Sequence, residues 1–229
     1  MKEKNNFLII SEPRTGSIYT TKEYCKEYYS IPIFGLLYRP QSGFKYPNGI
    51  RISETLGVQD YTDKEILKIL SMGNRFIGHG HWHSLSLYSD EIIERIKDFK
   101  IIDIRRNPLN QLLSIIMHVR NNHPLYKGFQ NTINKKEDDW FDNKFTQKQT
   151  EEGLDLIIDW FFEMKVKTQK IKKQFNIHKT LDYLNIGNNK HKEMREKKIK
   201  LVMGSEGMIM LEKKLSSPKY QEIMKNIIL

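Results

Sequence analysis

Residues 7–17 read Phe7-Leu8-Ile9-Ile10-Ser11-Glu12-Pro13-Arg14-Thr15-Gly16-Ser17, an apolar run that passes directly into a short turn. The apolar run predicts a buried strand, and the proline and glycine predict a turn before the helical pattern that follows. The first N–H groups of a helix have no partner within the helix, and their partial positive charge favours an anion. The stretch therefore predicts a phosphate-binding turn between a strand and a helix.

A second stretch of the same kind lies about ninety residues further on, at Ile101-Ile102-Asp103-Ile104-Arg105-Arg106-Asn107-Pro108, and is followed by Ser114. It is again an apolar strand that ends in a charged turn. Pro108 suits the first position of a helix, where no N–H is needed. Two such turns, each with an arginine, predict two phosphate-like groups on one ligand.

The remaining sequence repeats the alternation of apolar strands with helices of ten or more residues. This pattern predicts an α/β fold with a mainly parallel sheet flanked by helices on both faces. Ligands of such sheets bind at the carboxyl ends of the strands, where both turns would lie. The chain of 229 residues predicts one domain, 1–229, with a lid or insertion at 121–149, where the periodicity breaks.

The two turns together resemble the co-substrate segments of sulfotransferases that use 3′-phosphoadenosine 5′-phosphosulfate (PAPS). In that family the first loop reads Pro-Lys/Arg-Ser/Thr-Gly-Ser/Thr and wraps the 5′-phosphosulfate. The residues here that match or directly follow it are Pro13, Arg14, Thr15, Gly16, Ser17, Ile18 and Tyr19. Tyr19 stands where many relatives carry a tryptophan that packs on adenine, although a buried helix tyrosine explains it equally well. Ser17 could instead be a helix cap.

The second segment of that family ends in Arg-Asn/Asp-Pro, with a serine eight residues after the arginine, and holds the 3′-phosphate. Arg106 and Ser114 match this spacing. Arg105 is the alternative, because a shift of one residue along a strand turns the side chain to the other face. Tyr183, in a segment that is similar to the family's Tyr-Glu-Asp-Leu near the adenine, is a further candidate.

The resemblance implies a P-loop-like three-layer fold and transfer of a sulfuryl group from PAPS to a hydroxyl acceptor, for which a carbohydrate is a candidate. The acceptor must lose a proton, and a histidine can accept it near neutral pH. His79-Gly80-His81 lies between the two turns, where relatives place their base. His81 is favoured, His79 is second and His83 is third. Arg14 would stabilise the charge that develops on the bridging oxygen of the phosphate.

Three alternatives stay open. Residues 75–79 predict a strand that enters a Gly- and His-rich turn at 78–83. If its three histidines, His79, His81 and His83, instead stood at alternate positions of a strand, they could share a face as zinc ligands, although no neighbouring carboxylate or cysteine supports a metal site. A nucleotide kinase uses the same strand-turn-helix logic, but the sequence lacks its Gly-x4-Gly-Lys-Ser/Thr run. The net charge of +10 also suits a non-catalytic protein that binds polyanions or nucleic acid.

The remaining composition predicts a cytoplasmic protein. The sequence has no apolar run of the roughly 18 residues that a membrane span needs, and its first residues do not read as a secretion signal. A single cysteine, Cys25, excludes an internal disulfide.

Overall fold

The computed structural model describes residues 6–13, 15–38, 61–72, 76–121, 147–186 and 208–228. The chain divides into two compact units that interleave in sequence. The first comprises Met1–Lys45, Arg51–Arg106 and Lys167–Gly187; the second comprises Tyr46–Ile50, Asn107–Val166 and Asn188–Leu229. Of the predicted lid at 121–149, residues 122–146 lie outside the described residues. Both the lid and the single domain stay predictions.

The first unit contains a five-stranded parallel sheet, which confirms the predicted α/β class. Its strands are β1 (Phe7–Ser11), β2 (Ile31–Leu37), β3 (Phe76–His81), β4 (Lys100–Arg105) and β5 (Ile177–Asp182). They lie in the order β2-β3-β1-β4-β5. Both predicted turns therefore follow neighbouring strands, because β1 pairs with β4.

Helices lie on both faces of this sheet, among them α1 (Ser17–Tyr28), α2 (Asp63–Leu70) and α3 (Asp90–Lys97). Along β1, Leu8 and Ile10 belong to one buried cluster, which includes side chains of α2 and α3. Phe7 and Ile9 belong to a second cluster, which includes Cys25 of α1. Successive strand residues point to opposite faces, so β1 is buried on both sides. The result is a three-layer arrangement of helix, sheet and helix.

The helices of this unit begin in two different ways. At α2, Thr62 Oγ1 accepts a hydrogen bond from Glu65 N–H at 3.3 Å, and Glu65 Oε2 accepts one from Thr62 N–H at 2.8 Å. The two bonds together form a capping box. At α1 the cap residue is Gly16, no side chain caps the helix, and its first turn holds no acidic residue. The start of α1 therefore lacks the capping side chain and the acidic residues that partly neutralise the positive end of α2.

The second unit is helical in its described parts. They comprise α4 (Pro108–Asn121), all of α5 (Gln147–Lys172) except its last six residues, the helical residues 208–215, and α6 (Pro218–Ile228). Asn107 Oδ1 accepts from Asn110 N–H at 3.1 Å, so the Asn-Pro pair begins α4 as predicted. Asp159 on α5 accepts from Tyr220 Oη on α6 at 2.9 Å. None of the described helices is long and apolar enough to cross a lipid bilayer.

The histidine-rich segment differs from its prediction as a turn. β3 continues through His81, and a 3₁₀ helix at Trp82–Leu87 follows it. The strand is extended because β3 lies between β1 and β2 and pairs with both, with Ser11 opposite His81. Hydrogen bonds on both sides therefore hold residues whose own preferences favour a turn.

Candidate functional site

The turn between β1 and α1 depends on a glycine in a left-handed conformation. Gly16 has a φ of +83°, a left-handed conformation that glycine adopts without strain. The N–H of Thr20 is bonded to the Gly16 carbonyl at 3.1 Å, which is the first i to i+4 bond of the helix. The N–H groups of residues 17–19 precede that bond and have no acceptor within the helix. They form a set of donors at the positive end of α1.

Two side-chain hydroxyls donate hydrogen bonds to a carbonyl within this turn. Thr15 is fully buried, and its Oγ1 donates to the Glu12 carbonyl at 2.8 Å. Ser11 Oγ donates to the same carbonyl at 3.3 Å. The Thr15 hydroxyl hydrogen is thus used inside the turn. Pro13 lies within this turn, and Arg14 lies outside the described residues.

The residues that open α1 differ in exposure. Ser17 is buried and is the first helical residue rather than its cap, because Gly16 holds that position. Ile18 and Tyr19 are 37% and 45% exposed. Tyr19 is therefore not the buried helix tyrosine that the alternative explanation required, and its predicted place beside adenine stays a prediction.

His79 contacts the turn directly. Its Nε2 lies 2.7 Å from Ser17 Oγ, and the Gly35 N–H of β2 donates to its Nδ1 at 3.2 Å. An imidazole nitrogen that accepts from an N–H carries no proton itself. Nε2 must therefore carry the proton of the neutral ring, and this N–H donates a hydrogen bond to Ser17 Oγ. This arrangement argues against His79 as the base, because its one lone pair is already used.

His81 has the opposite arrangement. Its Nδ1 lies 3.1 Å from the Ser11 carbonyl, which can only accept, so Nδ1 donates and Nε2 carries the lone pair. Burial lowers the pKa of His81 from 6.5 to about 4, against the hydrogen bond to Ser11, which raises it. The ring is neutral at pH 7 and presents Nε2 as its basic nitrogen. Of the two favoured histidines, His81 has the geometry of a general base.

His83 does not complete a metal site with the other two histidines. Its ring stacks on that of His81 with centroids 5.6 Å apart and an angle of 12° between the planes. In the parts of the chain that the structure describes, no group of three His, Cys, Asp or Glu residues is placed to hold a metal ion. Parallel stacked rings do not direct two nitrogens at one point, so this geometry does not support the zinc alternative.

The two arginines at the end of β4 differ in their exposure to solvent. The Arg105 side chain is 71% exposed, whereas Arg106 is only 7% exposed. The guanidinium carbon of Arg106 lies 4.4 Å from the centre of the Tyr183 ring, a cation–π contact. A Cβ added to Gly16 would lie 3.0 Å from Cδ2 and Cε2 of the same ring. Tyr183 thus contacts both the turn after β1 and the arginine after β4.

Ser114, the predicted partner of Arg106, is buried in the second unit, on α4. The structure therefore brings together Thr15, Gly16, Ser17, His79, His81, Arg106 and Tyr183, all in the first unit. Tyr183 is buried, and Arg106 covers its ring, so it supports the arginine rather than offering an open stacking surface. Its predicted contact with adenine stays a prediction.

Two residues of this region were missed by sequence reasoning. Gly35 fixes the His79 ring but lies inside an apolar strand and carries no chemical signal. Asp103 is fully buried, and its carboxylate accepts from Trp82 Nε1 and from Lys172 Nζ, both at 2.8 Å. It ties the segment after His81 to β4. The sequence did carry a signal for Asp103, because a single acidic residue between Ile102 and Ile104 in an apolar strand needs a buried partner.

Acidification is expected to destabilise the first unit. In the unfolded chain a histidine titrates near 6.5, whereas burial holds the pKa of His79 and His83 well below that value and that of His81 at about 4. The unfolded state therefore binds protons first, and stability is lost as the pH falls from 6.5 towards 4. The drop from 6.5 to about 4 for His81 corresponds to about 3 kcal/mol.

The test is the free energy of unfolding in urea at pH 7, 6, 5 and 4.5. Carboxylates also titrate in this range, so the comparison is with His81→Asn, which should lose stability less steeply than wild type. Equal slopes for the two proteins would show that His81 is not buried in its neutral form.

Comparison with known proteins gives few matches. No family model matches the sequence, and no curated protein matches it. The solved structures with a detectable likeness include shikimate kinase from Bacteroides thetaiotaomicron, at 10% sequence identity and a TM-score of 0.43. That match covers 87% of this chain and 96% of the kinase chain. At this identity and TM-score it identifies neither a family nor a substrate for this chain.

Proposed function

We propose that the protein is a sulfotransferase that moves a sulfuryl group from PAPS to a hydroxyl acceptor. The observation that carries the proposal is the shared contact of Gly16 and Arg106 with Tyr183. Through Tyr183, the start of α1, which no side chain caps, lies near the buried guanidinium of Arg106. The two groups follow neighbouring strands, β1 and β4. A co-substrate with a 5′-phosphosulfate and a separate 3′-phosphate needs two such anion sites close together.

The donors at the start of α1 suit the 5′ group. Backbone N–H groups and a helix dipole are fixed before the ligand arrives, so they stabilise negative charge without reorganising. The left-handed conformation of Gly16 makes the tight turn into α1, and its missing Cβ leaves room for the Tyr183 ring that also holds Arg106. The match to the family's loop adds Arg14, whose guanidinium would stabilise the leaving phosphate.

Arg106 suits the 3′-phosphate. Burial and contact with the Tyr183 ring reduce the positions open to this long side chain, so less entropy is lost when an anion binds. A guanidinium can also donate two parallel hydrogen bonds to one phosphate. Arg105 is mostly exposed and forms an ion pair with Asp103 at 3.9 Å, so it lacks the burial and the ring contact that hold Arg106.

His81 would serve as the base. The acceptor oxygen forms its bond to sulfur as the bond from sulfur to the bridging phosphate oxygen breaks, and the acceptor proton passes to His81 Nε2. The electron pair of the broken bond stays on the phosphate. A histidine with a pKa near 4 is a weak base, but an anionic co-substrate beside it raises that pKa towards neutrality.

The test is calorimetric titration with adenosine 3′,5′-bisphosphate, the desulfated product, and with ATP as the comparison ligand. Wild type is expected to bind the bisphosphate at micromolar concentration and in preference to ATP. Arg106→Ala should weaken that binding by roughly 10- to 100-fold, the usual value of a charge-assisted contact. Arg105→Ala, the matched control, should change it by less than about twofold.

Because Arg106 is buried, its variants are compared by thermal unfolding, and Arg106→Lys is included to keep the charge. Preferential binding of ATP would replace the proposal with a kinase-like activity. Salt-dependent binding of polyanions, with no binding of the bisphosphate by folded wild type, would replace it with a non-catalytic role. Equal losses for Arg105→Ala and Arg106→Ala would assign the phosphate to neither arginine specifically.

A further inference from the structure

An irregularity in β2 places an N–H group on His79. The pairing of β2 with β3 shifts register between Ile33 and Leu37, and Gly35 within that interval has a φ of +71°. A bulge of this kind removes a residue from the regular ladder and redirects its backbone groups. The Gly35 N–H donates to His79 Nδ1 at 3.2 Å instead of to a strand carbonyl.

This bond determines what the other side of the ring does. With Nδ1 accepting, the neutral ring carries its proton on Nε2, which donates to Ser17 Oγ at 2.7 Å. Burial, and secondly the neighbouring His81, keep the pKa of His79 well below 6.5, so the ring stays neutral at pH 7. The His79 ring therefore links the backbone of β2, at Gly35, to the side chain of Ser17, the first residue of α1.

The Ser17 hydroxyl is oriented in turn. Its oxygen accepts from His79, and among the described residues it has no other hydrogen-bond partner. The hydroxyl hydrogen is then available for an acceptor at the start of α1, beside the unpaired N–H groups. In the reverse arrangement, with Ser17 donating to the ring, that hydrogen would be unavailable.

We propose that His79 is a positioning residue that fixes the Ser17 hydroxyl as a donor to the phosphosulfate, and that it is not the base. This inference rests on the proposed function for the identity of the anion. It also separates the two histidines of the His-Gly-His segment by role. His79 orients a binding group, and His81 takes the proton.

Two variants of His79 separate its two hydrogen bonds. The amide of His79→Gln reaches the place of Nε2 and can still donate to Ser17. The amide of His79→Asn reaches only the place of Nδ1, so it keeps an acceptor for Gly35 and loses Ser17. Titration with adenosine 3′,5′-bisphosphate is expected to show a loss of roughly fivefold to tenfold for His79→Asn, the value of one neutral hydrogen bond, and partial rescue by His79→Gln.

Ser17→Ala closes a double-mutant cycle. Because both variants remove the same contact, the double variant His79→Asn/Ser17→Ala should bind no more weakly than the weaker single variant. In turnover assays His79→Asn should raise KM for PAPS more than it lowers kcat. Additive losses in the cycle, or a loss confined to kcat, would overturn the positioning role.

The ring arrangement is tested without any ligand. Long-range ¹H–¹⁵N spectra of the full chain at pH 7 should show the proton of His79 on Nε2 and that of His81 on Nδ1. A proton on Nδ1 of His79 would overturn this inference alone and leave the proposed function standing. No binding of the bisphosphate by folded wild type, with the expected tautomers present, would overturn the proposed function and the role of His79 in binding together.

Discussion

Replacement of His81 by asparagine is expected to lower kcat by about a hundredfold to ten-thousandfold, the usual contribution of a general base. The asparagine amide can still donate to the Ser11 carbonyl in place of His81 Nδ1, so the strand end should be preserved. What the variant removes is Nε2, the one basic nitrogen of the ring. Sulfuryl transfer is measured with labelled PAPS and the best acceptor found by screening hydroxyl compounds with wild type.

The controls distinguish loss of a base from loss of structure. Binding of adenosine 3′,5′-bisphosphate and the unfolding temperature should stay near the wild-type values in His81→Asn. His178→Asn removes an exposed histidine from β5 and should leave kcat unchanged. A wild-type kcat for His81→Asn would show that another group takes the acceptor proton.

Replacement of Gly80 by alanine is expected to lower the free energy of unfolding by about 3 kcal/mol or more, the upper end for an overpacked core. An added Cβ would lie 2.4 Å from Leu37 Cβ and 2.8 Å from the Leu37 carbonyl oxygen. The carbonyl belongs to the backbone of the neighbouring strand, so relief requires β2 and β3 to move apart. For a chain of this length the loss corresponds to about 6–12 °C in Tm.

Gly78→Ala is the matched comparison, two residues earlier on the same face of β3. Its added Cβ would meet Leu36 Cδ2 at 2.7 Å and Leu8 Cδ2 at 2.8 Å, both ends of side chains that can rotate. We expect it to cost about 1–2 kcal/mol. Equal unfolding temperatures for the two variants would contradict the close approach of Leu37 to Gly80.

Much of the sheet was predictable because β1, β2 and β4 are short, largely apolar runs. A strand buried on both faces must be apolar along its length, and Phe7 to Ile10 satisfies that requirement. The end of β3 was not predictable in this way. Gly78, Gly80 and His81 have weak strand preferences, and pairing with β1 and β2, which depends on residues distant in sequence, holds them extended.

In the candidate site, too, some features could be predicted from the sequence and others could not. The eight-residue spacing to Ser114 favoured Arg106 over Arg105, and the structure buries the former and exposes the latter. Sequence alone could not separate His79 from His81, because both are histidines on one face of one strand. Their difference comes from Gly35 and the Ser11 carbonyl, backbone groups whose positions depend on the register of neighbouring strands.

The bulge in β2 also affects how readily another strand can pair with the edge of the sheet. Among the strands that the structure describes, β2 stands at one end of the order; Tyr29, just before it, is 98% exposed, and Ile31, its first residue, is 63% exposed. An exposed edge with apolar side chains invites a strand from another molecule. Pro32 has no N–H to offer such a strand, and the irregular backbone at Gly35 breaks the even spacing that continuous pairing needs. We therefore expect the distortion that orients His79 also to disfavour pairing of this edge with a strand from another molecule.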